Sequence, residues 1–191
     1  MLRSMVGGVL ATIMMSSLGM TASAQTQSDE ALKPPTKVEA FLAKKGRLIV
    51  KDFHPLDTAR GKYGTVKFDA LTIYEPGFES QGVSGLRIEV SGAYEKSSIS
   101  FLDLDEVESL ASAIEYMLRL ASEWTSAARD YDEVIFETKG DFQIGFYQEG
   151  AKQSAFCSSG RIGKVSCYFN SVADLGTVKS RADQALSVLR K

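Results

Sequence analysis

Few side chains in this 191-residue sequence have the types and spacing to do chemistry. His54 is the single histidine, and Asp52 and Asp57 lie close to it. A general base oriented by a carboxylate needs a nucleophile beside it, and no nucleophile motif is present. In Gly82-Val-Ser-Gly-Leu86 a leucine stands where a nucleophile elbow has its last glycine. His54-Pro55 reads instead as the end of a strand. A carboxylate pair for glycoside hydrolysis needs two acids brought together in space, and the sequence selects no such pair. On these grounds no catalytic residue is assigned. A small secreted hydrolase using His54 or a carboxylate pair is kept as the alternative.

The remaining polar clusters have simpler readings. Asp103, Asp105, Glu106 and Glu108 form an acidic block. A calcium loop needs oxygen ligands at alternating positions and a glycine at its turn. Leu104 and Val107 interrupt this block, and no glycine follows. Acids at a helix start are favoured by its dipole, and that is the reading adopted. The glycines at 82, 85, 160 and 163 lack the strand–loop–helix setting of a phosphate cradle and read as turns. One histidine and two cysteines leave too few ligands for zinc, so neither a metal nor a cofactor is expected. Lys44, Lys45, Arg47 and Lys51 read as a solvated face.

The two cysteines follow from compartment. Arg3 precedes an apolar stretch from Met5 to Met20, and Ala22-Ser23-Ala24 matches a signal-peptidase site. The stretch is shorter than the roughly 20 residues that span a bilayer. Residues 1–24 therefore read as a cleaved leader that leaves no transmembrane anchor, and the product as periplasmic or secreted. Such a compartment permits disulfides. Arg161-Ile162-Gly163 has the form of a three-residue hairpin loop. Centred on Ile162, its register sets Cys157 opposite Cys167, so a disulfide between them is expected.

These residues must be positioned by an α+β fold. Hydrophobic residues at 44% and charged residues at 24% exclude a disordered chain. Residues 25–35 end in Pro34-Pro35 and read as a flexible leader. A short helix over 37–45 starts at a capping box, Thr36 to Glu39. Strands are predicted at 47–54, 65–74, 85–91 and 97–102. The third is clearest, because Leu86, Ile88 and Val90 alternate with polar residues. An amphipathic helix over 104–127 follows. The pattern then recurs, with strands at 132–138, 141–149, 154–159 and 164–170 and a helix over 172–190.

The recurrence has a constant offset: Val107, Leu110, Ile114 and Leu118 correspond to Leu175, Val178, Ala182 and Leu186, 68 positions on. Asp103 and Ser171 correspond as helix starts. Internal similarity at a fixed period marks a repeated unit. The expected architecture is two tandem ββββα units behind a short N-terminal helix, antiparallel sheets each with a covering helix. The first unit covers 36–130 and the second 131–191, packed together as one domain.

Four antiparallel strands and then a helix, twice in one chain, resembles the Whirly-type single-strand-binding proteins over about residues 46–190. The nearest sequence echo is Ile99-Ser-Phe-Leu-Asp-Leu-Asp-Glu-Val-Glu-Ser-Leu110, a last strand running into a capped helix. The resemblance implies single-stranded nucleic acid bound on the sheet faces. This chain departs from it in its leader and in its charge, which is −2 overall and −3 once Arg3 is removed with the leader. It also has no Lys/Arg-rich strand with regular aromatic interleaving, as single-strand binding requires. No binding residue is carried over. The expected role is a binding module for another envelope or extracellular protein, or for a small ligand, with nucleic acid a further alternative.

Overall fold

A computed structural model describes residues 36–93 and 96–190. The expected signal peptide and flexible leader lie outside the described residues. The fold is α+β, with two antiparallel sheets and a C-terminal helix.

Helix α1 (Lys37–Leu42) comes first. The first sheet contains β1 (Val50–Pro55), β2 (Ala59–Gly61), β3 (Gly64–Tyr74), β4 (Val83–Ser91) and β5 (Ser97–Asp103). Helix α2 (Leu104–Trp124) leaves β5 directly. The second sheet contains β6 (Arg129–Glu137), β7 (Phe142–Gly150), β8 (Lys152–Ser159) and β9 (Val165–Tyr168). A 3-10 turn at Val172–Asp174 leads into α3 (Leu175–Leu189).

The second sheet runs in the order β6-β7-β8-β9 and the first in the order β1-β3-β4-β5. The first sheet therefore has five strands where four are expected, because its edge strand is broken. Both β1 and β2 pair with β3, at Asp69–Tyr74 and Gly64–Val66 respectively. Pro55 is tolerated here because its missing N–H falls on the outward side of an edge strand. The next residue still bonds β3, its Leu56 N–H donating to the Phe68 carbonyl at 2.8 Å, and pairing resumes at Ala59.

Alternation along the strands builds the core. Val66, Phe68, Ala70, Leu86, Ile88 and Val90 are buried on one face of the first sheet, and Phe142, Ile144 and Phe146 on one face of the second. Helix α2 adds Val107, Leu110, Ile114 and Met117, and α3 adds Leu175, Val178, Ala182 and Ala185, all in one cluster. The helices pack on each other, with α3 against β3 and β4 of the first sheet and α2 against strands of both sheets. The expectation that each sheet carries its own helix is thus corrected. The stripes of both helices and the inner faces of both sheets meet in a single shared core. The end of α2 is closed from the second sheet: the Gln148 amide donates to the Ala127 carbonyl at 2.8 Å, and the Gln153 amide to the Ala121 carbonyl at 2.8 Å.

A second, smaller cluster lies on the other face of the first sheet, where Val38 and Phe41 of α1 cover Leu71 and Ile73. What holds α1 there is Asp103, only 4% exposed. Its carboxylate accepts the Lys37 N–H at 3.0 and 2.9 Å and the Val38 N–H at 3.3 Å. These are otherwise unsatisfied donors at the start of α1. The Asp103 N–H in turn donates to the Glu106 carboxylate at 3.1 Å, and the other Glu106 oxygen accepts the Lys139 N–H at 2.6 Å. The acidic block is therefore a junction of α1, α2 and the β6–β7 turn. The same local arrangement recurs before α3, where the Ser171 N–H donates to the Asp174 carboxylate at 3.0 Å.

Cys157 does face Cys167 in the β8–β9 register, and Gly163 takes a left-handed conformation (φ 71°) in the hairpin loop. The expected disulfide is not formed: both residues are free, buried thiols. The Phe169 N–H donates to the Ala155 carbonyl, so Cys157 and Cys167, two residues on, form a hydrogen-bonded pair of the antiparallel ladder. In addition, the Cys167 sulfur accepts a hydrogen bond from the Gly61 backbone N–H. Burial pushes the Cys157 thiol well above its ordinary pKa and raises Cys167 as well.

Two outcomes are expected. Asp103→Ala frees two α1 amides and loosens Val38 and Phe41, and should cost about 2–4 kcal/mol, read as a lowered denaturation midpoint. Both thiols should resist an alkylating reagent in the native protein, because the thiolate is the reactive form. Both should react in denaturant without added reductant, as counted by mass spectrometry.

Candidate functional site

The predicted candidates do not come together. His54 sits on β1 with about half of its side chain exposed, its Nε2 3.5 Å from an Asp52 oxygen. Asp57 points to Arg181 of α3 at 3.3 Å instead. No serine, threonine or cysteine approaches the imidazole in the hydrogen bonds of the described residues. The closest approach to a buried carboxylate pair is Asp103 with Glu106, and their oxygens are occupied by backbone N–H groups. The first pair is open but has no nucleophile bonded to it among the described residues, and the second is taken up by backbone N–H groups.

The surface that is organised is the outer face of the second sheet. Strand alternation puts residues of β6–β9 alternately into the core and away from it. With Phe142, Ile144, Phe146, Ala155, Cys157 and Cys167 inside, register dictates what lies outside. Ile135, Gly145, Phe156 and Tyr168 form one row across the four strands. Glu133, Tyr147 and Ser154 form the next, and Glu137, Gln143, Ser158 and Ser166 the one on the other side.

Aromatic rings dominate this face. Tyr131 stacks on Tyr147 with centroids 5.8 Å apart, and Phe156 lies 6.3 Å from Tyr168. Gly145 makes the row flat, because a β-carbon there would meet the Val134 carbonyl and the tip of the Phe156 ring. Tyr131, Ile135 and Tyr168 keep about half of their surface open, at 56%, 46% and 45%. A shallow recess of about 460 Å³ lies among these side chains. A neighbouring one of about 450 Å³ extends it past Tyr147 and Tyr168 to Tyr63 and Asn170.

Charge on the face is mixed. Glu137 pairs with Lys164 at 3.2 Å. Hydrogen bonds from Gln143 and Lys164 hold its carboxyl below the usual range. Partial desolvation and then the negative charge of Glu133 raise the Tyr131 phenol above its usual range. Lys152 stands opposite Glu149 at the β7–β8 turn.

Such a face offers the means of binding. Rigid rings with polar tips supply contact area at low entropic cost, and serine and amide groups supply adaptable hydrogen bonds. The recess is open and shallow, unlike a cleft that encloses most of a small ligand. Aromatic interleaving, which is not apparent along any single strand, is thus present across strands, but without a basic surface. The signal that would have found it is the hairpin register itself, since setting Cys157 opposite Cys167 also sets Phe156 opposite Tyr168. The chain matches no protein-family model, and it matches no curated protein sequence.

The Tyr131 phenol should ionise above the ordinary tyrosine range, and Glu133→Gln should lower its midpoint by removing a neighbouring negative charge. The ring resonances of Tyr131 followed through an alkaline NMR titration check both.

Proposed function

We propose that this protein is an exported binding module, periplasmic or secreted, that holds another envelope or extracellular protein on the aromatic outer face of β6–β9. The observation that carries the reading is the cluster of Tyr131, Tyr147, Phe156 and Tyr168 on one open sheet face. Aromatic residues are enriched at the centres of protein interfaces, and among the described residues no helix or strand covers these rings. The leader and the signal-peptidase pattern at 1–24 support export.

The architecture is read as a duplicated ββββα unit with Whirly-like order. Support comes from a sheet running into a helix twice, and from the matching contacts Asp103 to Glu106 and Ser171 to Asp174. Single-stranded nucleic acid is the second reading, favoured by the stacking surfaces alone. Glu133, Glu137 and Glu149 on the same sheet oppose it, because a polyanion is held chiefly by cations.

The test is crosslinking in intact cells and capture of the tagged protein, with the double variant Tyr147→Ala/Tyr168→Ala beside the wild type. The variant should keep its unfolding free energy within about 1.5 kcal/mol of the wild type. It should also lose a near-stoichiometric partner by roughly 30-fold or more. A partner retained equally by the variant, or none captured by the wild type, overturns the reading. A labelled single-stranded oligonucleotide bound at low salt and released by the same substitutions would install the second reading in its place.

A further inference from the structure

Strand β1 is the outermost strand of the first sheet, and among the described residues no strand lies on its far side. Lys51 to Pro55 are all exposed, and Phe53 keeps 44% of its surface open. The pairing with β3 fixes which amides are free. The Leu56 N–H donates to the Phe68 carbonyl. Following the register back in steps of two, His54, Asp52 and Val50 turn their backbone groups toward β3. Lys51 and Phe53 therefore direct both N–H and C=O outward, and Pro55 directs a carbonyl alone. Lys51, Phe53 and Pro55 lie on one face of the strand, and Asp52 and His54 on the other.

We propose that this edge pairs with the same edge of a second copy of the chain, antiparallel about a two-fold axis at Phe53. In such an isologous contact residue i meets j and j meets i, so the sequence of β1 decides among registers. An axis at Lys51 opposes two ammonium groups, one at Asp52 opposes two carboxylates, and one at His54 opposes two imidazoles. An axis at Phe53 opposes two phenyl rings and places each Asp52 across from His54 of the second copy, twice. These Asp–His pairs fall at non-hydrogen-bonded positions, where facing side chains stand closest. Asp52 and His54 of one chain are already 3.5 Å apart, so each imidazole comes to lie between two carboxylates.

Backbone bonding agrees with the same register. The two Phe53 residues exchange both of their outward hydrogen bonds. Each Lys51 N–H meets the Pro55 carbonyl of the other copy. Lysine and proline on an edge ordinarily close it to other strands. Here they face each other, so the two devices exclude general partners and leave this one register open. The contact uses neither the aromatic face nor any residue of the second sheet, and it stands independently of the function proposed above. An interface built on one short strand is at the low end of interface size, so the dimer is reversible.

The experiment is sedimentation equilibrium of the purified full chain over a wide concentration range. A reversible monomer–dimer equilibrium is expected. Phe53→Pro removes an N–H that β3 does not use, and should raise the dimer dissociation constant at least about tenfold while leaving the circular dichroism spectrum unchanged. A charge swap decides the register even if that variant folds poorly. Asp52→Lys and His54→Glu should each weaken the dimer when alone, and their mixture should recover a mixed dimer. A chain that stays monomeric throughout, a dimer indifferent to Phe53→Pro, or a mixture that fails to associate overturns the proposal. A dimer lost only in Tyr147→Ala/Tyr168→Ala also overturns it, by placing the contact on the other sheet.

Discussion

The carboxylate of Asp103 is the constraint on which the arrangement of this molecule turns. It stands at the last residue of β5 and the threshold of α2, where the chain changes from strand to helix. A buried carboxylate is costly unless its lone pairs are used. Here they are used by the first amides of α1, which would otherwise be orphaned. Its own N–H is taken by Glu106, whose other oxygen reaches the turn between β6 and β7. Three segments distant in sequence are thereby tied at one buried point. The small cluster under α1 and the large core under α2 lie on opposite faces of the first sheet, and this junction sets how both are closed.

The second sheet shows how one alternation serves two ends. Its inward residues are large and apolar and complete the shared core. Its outward residues cannot then be chosen for packing, and they are where aromatic rings and small polar groups collect. The first sheet differs on its outer side. There Arg87 bonds Asp69 at 2.7 Å and Glu89 at 2.8 Å, and α1 covers the remaining apolar residues. Polar self-satisfaction on one outer face and open rings on the other distinguish a closed surface from one with unused contact area.

Most elements were legible because their patterns are local. The period-two run through Leu86, Ile88 and Val90, the stripe through α2 and the hairpin around Ile162 each declare themselves within a dozen residues. What was not legible depends on relations between strands. Tyr131, Tyr147, Phe156 and Tyr168 sit on four strands, and no spacing along the chain groups them until the registers are known. The thiols show the limit more finely. Centring the hairpin on Ile162 gave the right facing pair, although the loop spans residues 160–164 rather than three, but no hairpin pattern names Gly61, whose backbone N–H takes up the Cys167 sulfur. The break at Pro55 is similar. A proline ends a strand visibly, while the three residues of β2 that resume the edge are too few to show a period.

The meeting of β2 with β9 has a consequence for the order of events. Lys62 donates its N–H to the Tyr168 carbonyl at 2.7 Å, and Gly61 lies so close to Cys167 and Tyr168 that a β-carbon would not fit. An early strand is thus sealed by one of the last. Contacts between remote parts of a chain must await loop closure and slow folding. While the polypeptide is being made, the first sheet has strands but no completed corner, and its edge remains raw until the final hairpin emerges. The first sheet therefore completes this corner only after β9 has been synthesised, and until then the chain is in its form most exposed to proteases and to misassociation.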